Sequence, residues 1–128
     1  MRKDYEKINY YNVCTVEAID VIEALNLHFS CGNAFKYLYR SNKVRPKGEI
    51  LDDLNKAIYY LNRMLNKPRL NLNIKTDRYI DSLDSSLFSA ATYDAMKHTL
   101  YAGTSDSLED YRYRIYEAIK AIEYELFN

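Results

Sequence analysis

Polar and basic side chains recur at helical spacing in the stretch GNAFKYLYRSNK. The intervals are three, four and three residues, and the side chains are Asn33, Lys36, Arg40 and Lys43. On an α-helix this spacing places them along one face. Lysine binds phosphate oxygens as a point charge, and arginine binds them as a two-pronged hydrogen-bond donor. The pattern therefore predicts an anion site suited to phosphate groups.

The start of this stretch adds features that favour a phosphate ligand. Gly32 has no side chain, so a ligand could approach its backbone closely. The free amide groups and the positive dipole end of a helix that begins here would attract an anion. No Asp or Glu occurs from Ala24 through Gly48, and the loop that follows the helix adds Arg45 and Lys47. We expect a phosphate-facing helix start, with the basic side chains one and two turns further along.

A second segment, LDDLNKAIYYLNRML, carries a matching set of polar side chains. Asp53, Lys56 and Tyr60 share a helical face through spacings of three and four. We expect Asp53 to hold Lys56 or Arg40 in place, and Tyr37 or Tyr60 to stack on a nucleotide base. No metal site and no cofactor is predicted. The predicted ligand-binding residues are Gly32, Asn33, Lys36, Tyr37, Arg40, Lys43, Asp53, Lys56 and Tyr60.

Apolar residues repeat at three and four along most of the chain, which predicts the helices that position this site. The predicted helices are TVEAIDVIEAL, a stretch from near Ser30 to near Ser41, EILDDLNKAIYYLNRML, SSLFSAATYDAMKHTLYAG and SLEDYRYRIYEAIKAIEYELF. Gly103 is expected to end the fourth helix as a C-cap, and Ser107 with Asp110 to begin the fifth as a capping box. Only three glycines and two prolines occur, which disfavours β-sandwiches and barrels.

The two halves of the sequence resemble each other weakly at a fixed offset, which aligns Leu54 with Ile115 and Leu61 with Ile122. Each half is predicted to form a helix, a loop and a longer amphipathic helix. We therefore predict one all-α domain over residues 1–128, an antiparallel bundle of four to five helices, which two repeated helical hairpins would also satisfy. Its halves are residues 11–68 and 76–128. The predicted core residues are Leu54, Ile58, Leu61, Ile115, Ile119 and Ile122.

The formal net charge is zero, but the charges are unevenly distributed. Residues 1–75 carry 13 Lys and Arg against 8 Asp and Glu, and residues 76–128 carry 5 against 10. This asymmetry favours an anion site in the first half or self-association, and we predict a homo-oligomer. Zero net charge disfavours nucleic acid as a partner. No apolar run is long enough to span a bilayer and no signal-peptide pattern is found, so a cytoplasmic protein without a membrane partner is expected.

Two other kinds of chemistry are less well supported. Cys31 lies near His28, but no second Cys/His pair has zinc-ligand spacing, and a buried structural thiol is the simpler interpretation. The motifs D-x-x-E from Asp20 and E-x-x-D from Glu49 are similar to the magnesium-binding motifs of all-α nucleoside triphosphate pyrophosphohydrolases of the MazG type. Such acids more often form the solvated face of an amphipathic helix.

The first half resembles the SaV-like phage family, which is classed as a domain of unknown function. The resemblance lies in VEAIDVIEAL, FSCGNAFKYLYRSNK and LDDLNKAIYYLNRML, and it covers about residues 11–65. Family members carry a His-Tyr pair shortly before the glutamate that corresponds to Glu17, and Tyr10-Tyr11 stands there in this chain. The matching positions are Glu17, Asp20, Gly32, Asn33, Lys36, Tyr37, Arg40, Lys43, Asp53, Leu54, Lys56, Ala57, Tyr60 and Arg63.

The resemblance implies a small phage product, and the family includes a deoxynucleoside monophosphate kinase that has no P-loop. This chain also lacks a G-x-x-x-x-G-K-[ST] motif. The leading interpretation is a protein that binds a nucleotide or nucleotide-derived ligand through its phosphates, with sequestration of a host-defence nucleotide signal as one use of such binding. The alternatives are a monophosphate kinase without a P-loop, and an interaction protein that inhibits a host enzyme through its acidic second half.

Overall fold

The structure is a computed structural model and describes residues 17–128. Across these residues all regular structure is helical and no strand occurs, which confirms the all-α prediction. A short 3-10 turn, Ser85–Leu87, precedes the fifth helix. Tyr10-Tyr11, which was predicted to replace the His-Tyr pair of the family, lies outside the described residues. The helices of the described part are α1 Ala18–Ala24, α2 Phe29–Arg40, α3 Lys47–Asn66, α4 Thr76–Asp81, α5 Ala90–Gly103 and α6 Leu108–Phe127.

Two helical hairpins form the body of the fold. Helices α2 and α3 pack along each other, and α5 and α6 do the same. The hairpins face each other so that α2 packs on α5 and α3 packs on α6. Helix α1 contacts α2, and the short α4 contacts α5. This arrangement is the bundle of helical hairpins that the two halves of the sequence predict.

The helices of the two halves have matching positions when the sequence is shifted by the offset that relates the halves. At the offset that aligns Leu54 with Ile115, the range of α3 falls on the range of α6, Leu108–Phe127. The same shift moves α2 to residues 90–101, inside α5. Helix lengths and positions therefore support the two-hairpin form of the prediction.

The core lies between the hairpins and agrees with the apolar periodicity. The fully buried members of the predicted core are Leu54, Leu61, Ile115 and Ile122. Ile58 and Ile119 are partly buried and pack against them. Tyr111 of α6 is also fully buried, and its hydroxyl donates a hydrogen bond of 2.9 Å to the carbonyl of Met64. A buried tyrosine hydroxyl needs such a partner, and this one joins α6 to α3.

Gly103 is not the C-cap that the sequence predicts. It is the last residue of α5, and no glycine in the described residues has a positive φ. A side chain at this position would overlap the Cys31 sulfur and lie 2.9 Å from Leu27 Cδ2. Glycine is therefore needed here because α5 approaches the start of α2 closely, not because the backbone is left-handed.

Other helix ends differ in detail from the prediction. Helix α5 begins after Ser89, whose hydroxyl accepts the Thr92 amide at 3.0 Å, so the residues before it form the separate 3-10 turn. Ser107 accepts the amide of Asp110 at 3.2 Å, which is one half of the predicted capping box. The Asp110 carboxylate instead pairs with Arg114, at 3.5 Å.

The connector between the hairpins contains a helix that the sequence analysis did not predict, α4. Before it, residues 67–75 have no regular structure. The amide of Asn71 donates to the Ser105 carbonyl at 3.0 Å, and that of Asn73 donates to Thr104 at 3.3 Å. These bonds hold the connector against the turn that joins α5 to α6. In the part of the chain described, no helix is long and apolar enough to cross a membrane.

Candidate functional site

The α2–α3 hairpin brings six of the nine predicted site residues together. We call this group the Tyr37 cluster, and its members are Lys36, Tyr37, Arg40, Asp53, Lys56 and Tyr60. The rings of Tyr37 and Tyr60 lie nearly parallel, with an interplanar angle of 9° and centroids 6.1 Å apart. One ring comes from each helix, so the stack fixes the position of α2 against α3 at the site.

Cations surround the Tyr37 ring. Lys36 Nζ lies 4.6 Å from the ring centroid, Lys56 Nζ 5.4 Å and the Arg40 guanidinium 5.8 Å. An aromatic face attracts cations at these distances, which helps to hold several positive charges close together. Lys56 also lies 3.1 Å from the Asp52 carboxylate, and this hydrogen-bonded acid raises the pKa of Lys56.

One member of the Tyr37 cluster is a buried carboxylate, that of Asp53. Asp53 is 2% exposed, and its Oδ2 lies 3.1 Å from Arg45 Nη1 and 3.8 Å from Arg40 Nε. Burial raises the pKa of the Asp53 carboxyl, and the two arginines act in the opposite direction. Arg45 is itself buried and also pairs with Glu49, at 2.6 Å. Arg45 is therefore not the loop cation of the anion site that the sequence predicts, because its ion pairs join the loop to α3.

Two predicted ligand-binding side chains make contacts within the protein instead. Lys43 Nζ donates to the Ser86 carbonyl at 3.1 Å, and the Lys43 amide donates to Leu87 at 2.9 Å, so this residue ties the α2–α3 loop to the 3-10 turn. The side-chain amide of Asn33 donates to the carbonyl of Phe29, one turn earlier, at 3.1 Å. Neither contact adds a charge to the Tyr37 cluster.

The expected open approach at Gly32 is wrong. Gly32 is buried, and its amide already donates a hydrogen bond of 2.8 Å to the His28 carbonyl. A Cβ at this position would lie 3.2 Å from Ile22 Cγ2 of α1. The glycine therefore allows α1 to pack on α2, and its backbone does not face a ligand.

A basic cleft that the sequence analysis missed lies at the start of α2. Its volume is about 200 Å³, and we call it the α2 cleft. It combines the first residues of α2 with the end of α3 and the connector. The sequence signal is the run RMLNKPR, which contains three cations and no acid. The lining residues are His28, Phe29, Ser30, Arg63, Lys67 and Arg69.

The polar groups of the α2 cleft differ in whether they have hydrogen-bond or ion-pair partners. His28 caps α2, since its Nδ1 accepts the Cys31 amide at 3.3 Å. Burial and then the nearby Arg69 charge lower the pKa of His28, and its Nε2 is buried without a hydrogen-bond partner among residues 17–128. Arg63, Lys67 and Arg69 are exposed, and none forms an ion pair within the same residues.

Aromatic rings lie between the α2 cleft and the Tyr37 cluster. Phe29 lines the cleft, is 76% exposed and meets the Tyr60 ring edge-on, with centroids 6.1 Å apart. Tyr59 is also exposed and meets Tyr60 edge-on at 5.0 Å. The hairpin therefore presents cations, then aromatic rings, then cations again along one surface.

The other candidate chemistries find little geometric support. Cys31 is fully buried, burial raises its pKa to about 12, and its sulfur donates to the Thr99 carbonyl at 3.4 Å, so it is not a nucleophile. Glu49 and Asp52, from the E-x-x-D motif, are paired with Arg45 and Lys56 respectively. Residues 17–128 contain no group of three or more His, Cys, Asp or Glu arranged to hold a metal ion.

Comparison with known proteins gives one match. Residues 5–62 match DUF3310, a family described as a protein of unknown function. The matched range includes every member of the Tyr37 cluster, and it ends before Arg63, Lys67 and Arg69 of the α2 cleft. No curated protein and no solved structure matches the chain. The match describes no activity, and the resemblance to SaV-like phage proteins stays a prediction.

Proposed function

We propose that this protein binds a nucleotide or nucleotide-derived ligand through its phosphates on the outer surface of the α2–α3 hairpin. The observation that carries the proposal is the convergence of Lys36, Arg40 and Lys56 around the Tyr37 ring. Phosphate recognition needs several fixed positive charges, and stacked rings beside them suit a base.

The internal contacts give each cation a different role in this proposal. Arg40 is oriented by the buried Asp53, so it loses little freedom when it meets a phosphate oxygen. Lys36 and Lys56 are half-buried and exposed respectively, and their ammonium groups supply the charge that a ligand reaches first. Phe29 offers the most exposed ring on this surface for a base.

The wider setting of the proposal rests on the resemblance of residues 11–65 to SaV-like phage proteins. We propose a phage protein that acts in the host cytoplasm and sequesters a nucleotide signal. The contacts at the site favour binding, because the two carboxylates beside these cations are already paired, Asp52 with Lys56 and Asp53 with Arg45 and Arg40. The kinase alternative is separated from binding by whether the ligand returns unchanged.

Self-association is a further part of the proposal. The two halves of the chain carry opposite net charge, and α6 exposes a stripe of aromatic side chains at helical spacing: Tyr113, Tyr116, Tyr124 and Phe127. Antiparallel pairing of two α6 helices would cover these stripes. Aromatic side chains and opposite charges of this kind are typical of a two-fold interface.

Lys36→Ala combined with Lys56→Ala tests the nucleotide proposal. We expect at least tenfold weaker binding of nucleoside mono-, di- and triphosphates by isothermal titration calorimetry, since two of the converging charges are lost. Lys97→Ala is the matched control, because the offset between the two halves aligns Lys97 with Lys36, and its Nζ also lies over a tyrosine ring, that of Tyr93, at 5.4 Å.

Equal affinity in the double variant and the control would contradict the proposal. Recovery of the ligand after heat denaturation separates the two activities. An unchanged ligand supports sequestration, and a ligand with an added phosphoryl group after incubation with ATP supports the kinase.

A further inference from the structure

The cations on the α2–α3 surface form two groups. Lys36 and Lys56 belong to the Tyr37 cluster, and Arg63, Lys67 and Arg69 line the α2 cleft. Lys56 and Arg63 are seven residues apart on α3, which is about 10 Å at 1.5 Å per residue. On α2, Ser30 and Lys36 are six residues apart, about 9 Å by the same rise. The Tyr37 cluster and the α2 cleft are therefore separate positions along both helices, and the cations of the cleft come from the end of α3 and the connector.

The space between the two groups is aromatic. Tyr59 and Tyr60 stand between Lys56 and Arg63 on α3, and Phe29 meets Tyr60 from the start of α2. A nucleoside 5′-mono-, di- or triphosphate carries all of its phosphates at one end of the sugar. It would leave one of the two positive groups without an anion. A ligand with phosphate on both sides of a nucleoside would fill both groups and place its base beside the rings.

We propose that the surface takes a phosphate–nucleoside–phosphate unit, with one phosphate at the Tyr37 cluster and the other in the α2 cleft. This inference rests on the proposed nucleotide binding and names its ligand class. The unit occurs in dinucleotides and in short single strands, and these two sources share the recognised chemistry. In the cleft, Arg63 and Arg69 provide forked donors, and Ser30 lies in the first turn of α2, where the helix dipole favours an anion.

Deoxyadenosine 3′,5′-bisphosphate and deoxyadenosine 5′-monophosphate are the probes for this inference, measured by isothermal titration calorimetry on the full chain. We expect the bisphosphate to bind at least tenfold more tightly than the monophosphate. Arg63→Ala combined with Arg69→Ala is expected to remove that difference. Arg78→Ala combined with Arg112→Ala is the control, since both arginines are exposed and lie outside the surface, and the tenfold difference should persist. Circular dichroism confirms that each variant is folded.

The outcomes separate this inference from the proposal that it rests on. If the bisphosphate has no advantage while Lys36→Ala with Lys56→Ala still weakens the monophosphate, the two-position inference is overturned and nucleotide binding stands. If only the cleft variant weakens either probe, one anion position exists and both proposals about the Tyr37 cluster are overturned. If neither probe binds, both are overturned as well.

The length of the ligand that binds most tightly distinguishes a dinucleotide from a single strand as the source of the phosphate–nucleoside–phosphate unit. The dinucleotide pdApdA and a twelve-residue oligodeoxyadenylate are compared with the bisphosphate by the same measurement. Affinity that rises at least tenfold from dinucleotide to oligomer identifies a single strand, and affinity that is already reached by the dinucleotide identifies a small ligand. Loss of binding to both when the bisphosphate binds would overturn the inference, because a chain phosphate would then be excluded from the cleft.

Discussion

Asp53 is the one member of the Tyr37 cluster that is buried. It neutralises Arg45 at 3.1 Å and contacts Arg40 at 3.8 Å. A buried ion pair contributes modest net stability, but removal of one partner leaves the other as an uncompensated charge. Removal of Asp53 would leave Arg45, which is only 6% exposed, with the more exposed Glu49 as a partner at 2.6 Å.

Asp53→Asn keeps the size of the side chain and removes its charge. We expect it to lower the free energy of unfolding by about 1–3 kcal/mol, measured by urea denaturation, because Arg45 loses its buried partner but keeps Glu49. Asp52→Asn is the neighbouring control, because Asp52 is exposed and pairs only with Lys56 in the described residues. That change should cost less than about 1 kcal/mol. Similar small losses in both variants would mean that Asp53 does not neutralise Arg45 in solution.

We expect stability to depend on pH through His28. Its neutral ring caps α2, and its folded pKa is lowered from the ordinary value of 6.5. Protonation therefore favours the unfolded state, so the contribution of His28 is fully present above about pH 6.5 and is lost as the pH falls below it. The pKa of His98 is also lowered, so both histidines contribute to the loss of stability of the wild-type protein as the pH falls.

His28→Asn tests this contribution, because asparagine is a good N-cap that does not titrate. We expect a melting temperature close to wild type at pH 7.5, and a smaller decrease than wild type when the pH is lowered to 5.5. Circular dichroism melts at the two pH values provide the measurement. An identical decrease in both proteins would show that the cap does not depend on the neutral ring.

At the scale of elements, the helices were predictable because their apolar periodicity is strong. The sequence placed α2 from near Ser30 to near Ser41, within one residue of its observed bounds. Helix α4 was missed because TDRYID is too short to show a period. The role of Gly103 was misassigned because a glycine at a helix end has the same appearance in sequence whether it is required by the backbone or by a neighbouring helix.

Glycine to alanine substitutions separate these two roles. Gly103→Ala should lower stability by about 1–3 kcal/mol, because the new methyl group would overlap the Cys31 sulfur. Gly48→Ala is the matched change in the first turn of α3, where nothing lies within 4 Å of a new Cβ. It should raise stability by about 0.4–1 kcal/mol. Urea denaturation that gives both changes the same sign would contradict the packing role of Gly103.

At the scale of the whole molecule, helical spacing within α2 and within α3 predicted the members of the Tyr37 cluster, but it did not predict the α2 cleft. The cluster follows from two helical faces that pack together, and each face is visible in a short stretch of sequence. The cleft joins His28 to Arg69, and nothing local in the sequence reveals that the end of α3 lies beside the start of α2. Contacts of this kind follow from the hairpin geometry, which periodicity alone does not specify.

Association is the prediction that belongs to the whole molecule. We expect light scattering at tens of micromolar to give about twice the chain mass of 15.1 kDa. Tyr116→Glu, in the middle of the α6 stripe, should shift the protein to the monomer, because a charge would replace a ring in the interface. Tyr59→Glu on α3 is the control and should leave the mass unchanged. A monomeric wild-type protein would contradict the homo-oligomer prediction.

The two hairpins share one arrangement of helices, and the proposed ligand surface uses only the first of them. At the offset that relates the two halves, Asp53 and Lys56 of the first hairpin correspond to Arg114 and Glu117 of the second, so the signs of both charges are reversed. The inner faces of the hairpins must change together, because each is the other's packing surface. The outer face of the second hairpin is not constrained by that packing, so in evolutionary terms it is where the protein can acquire a partner, including a second copy of itself, without change to the proposed ligand surface.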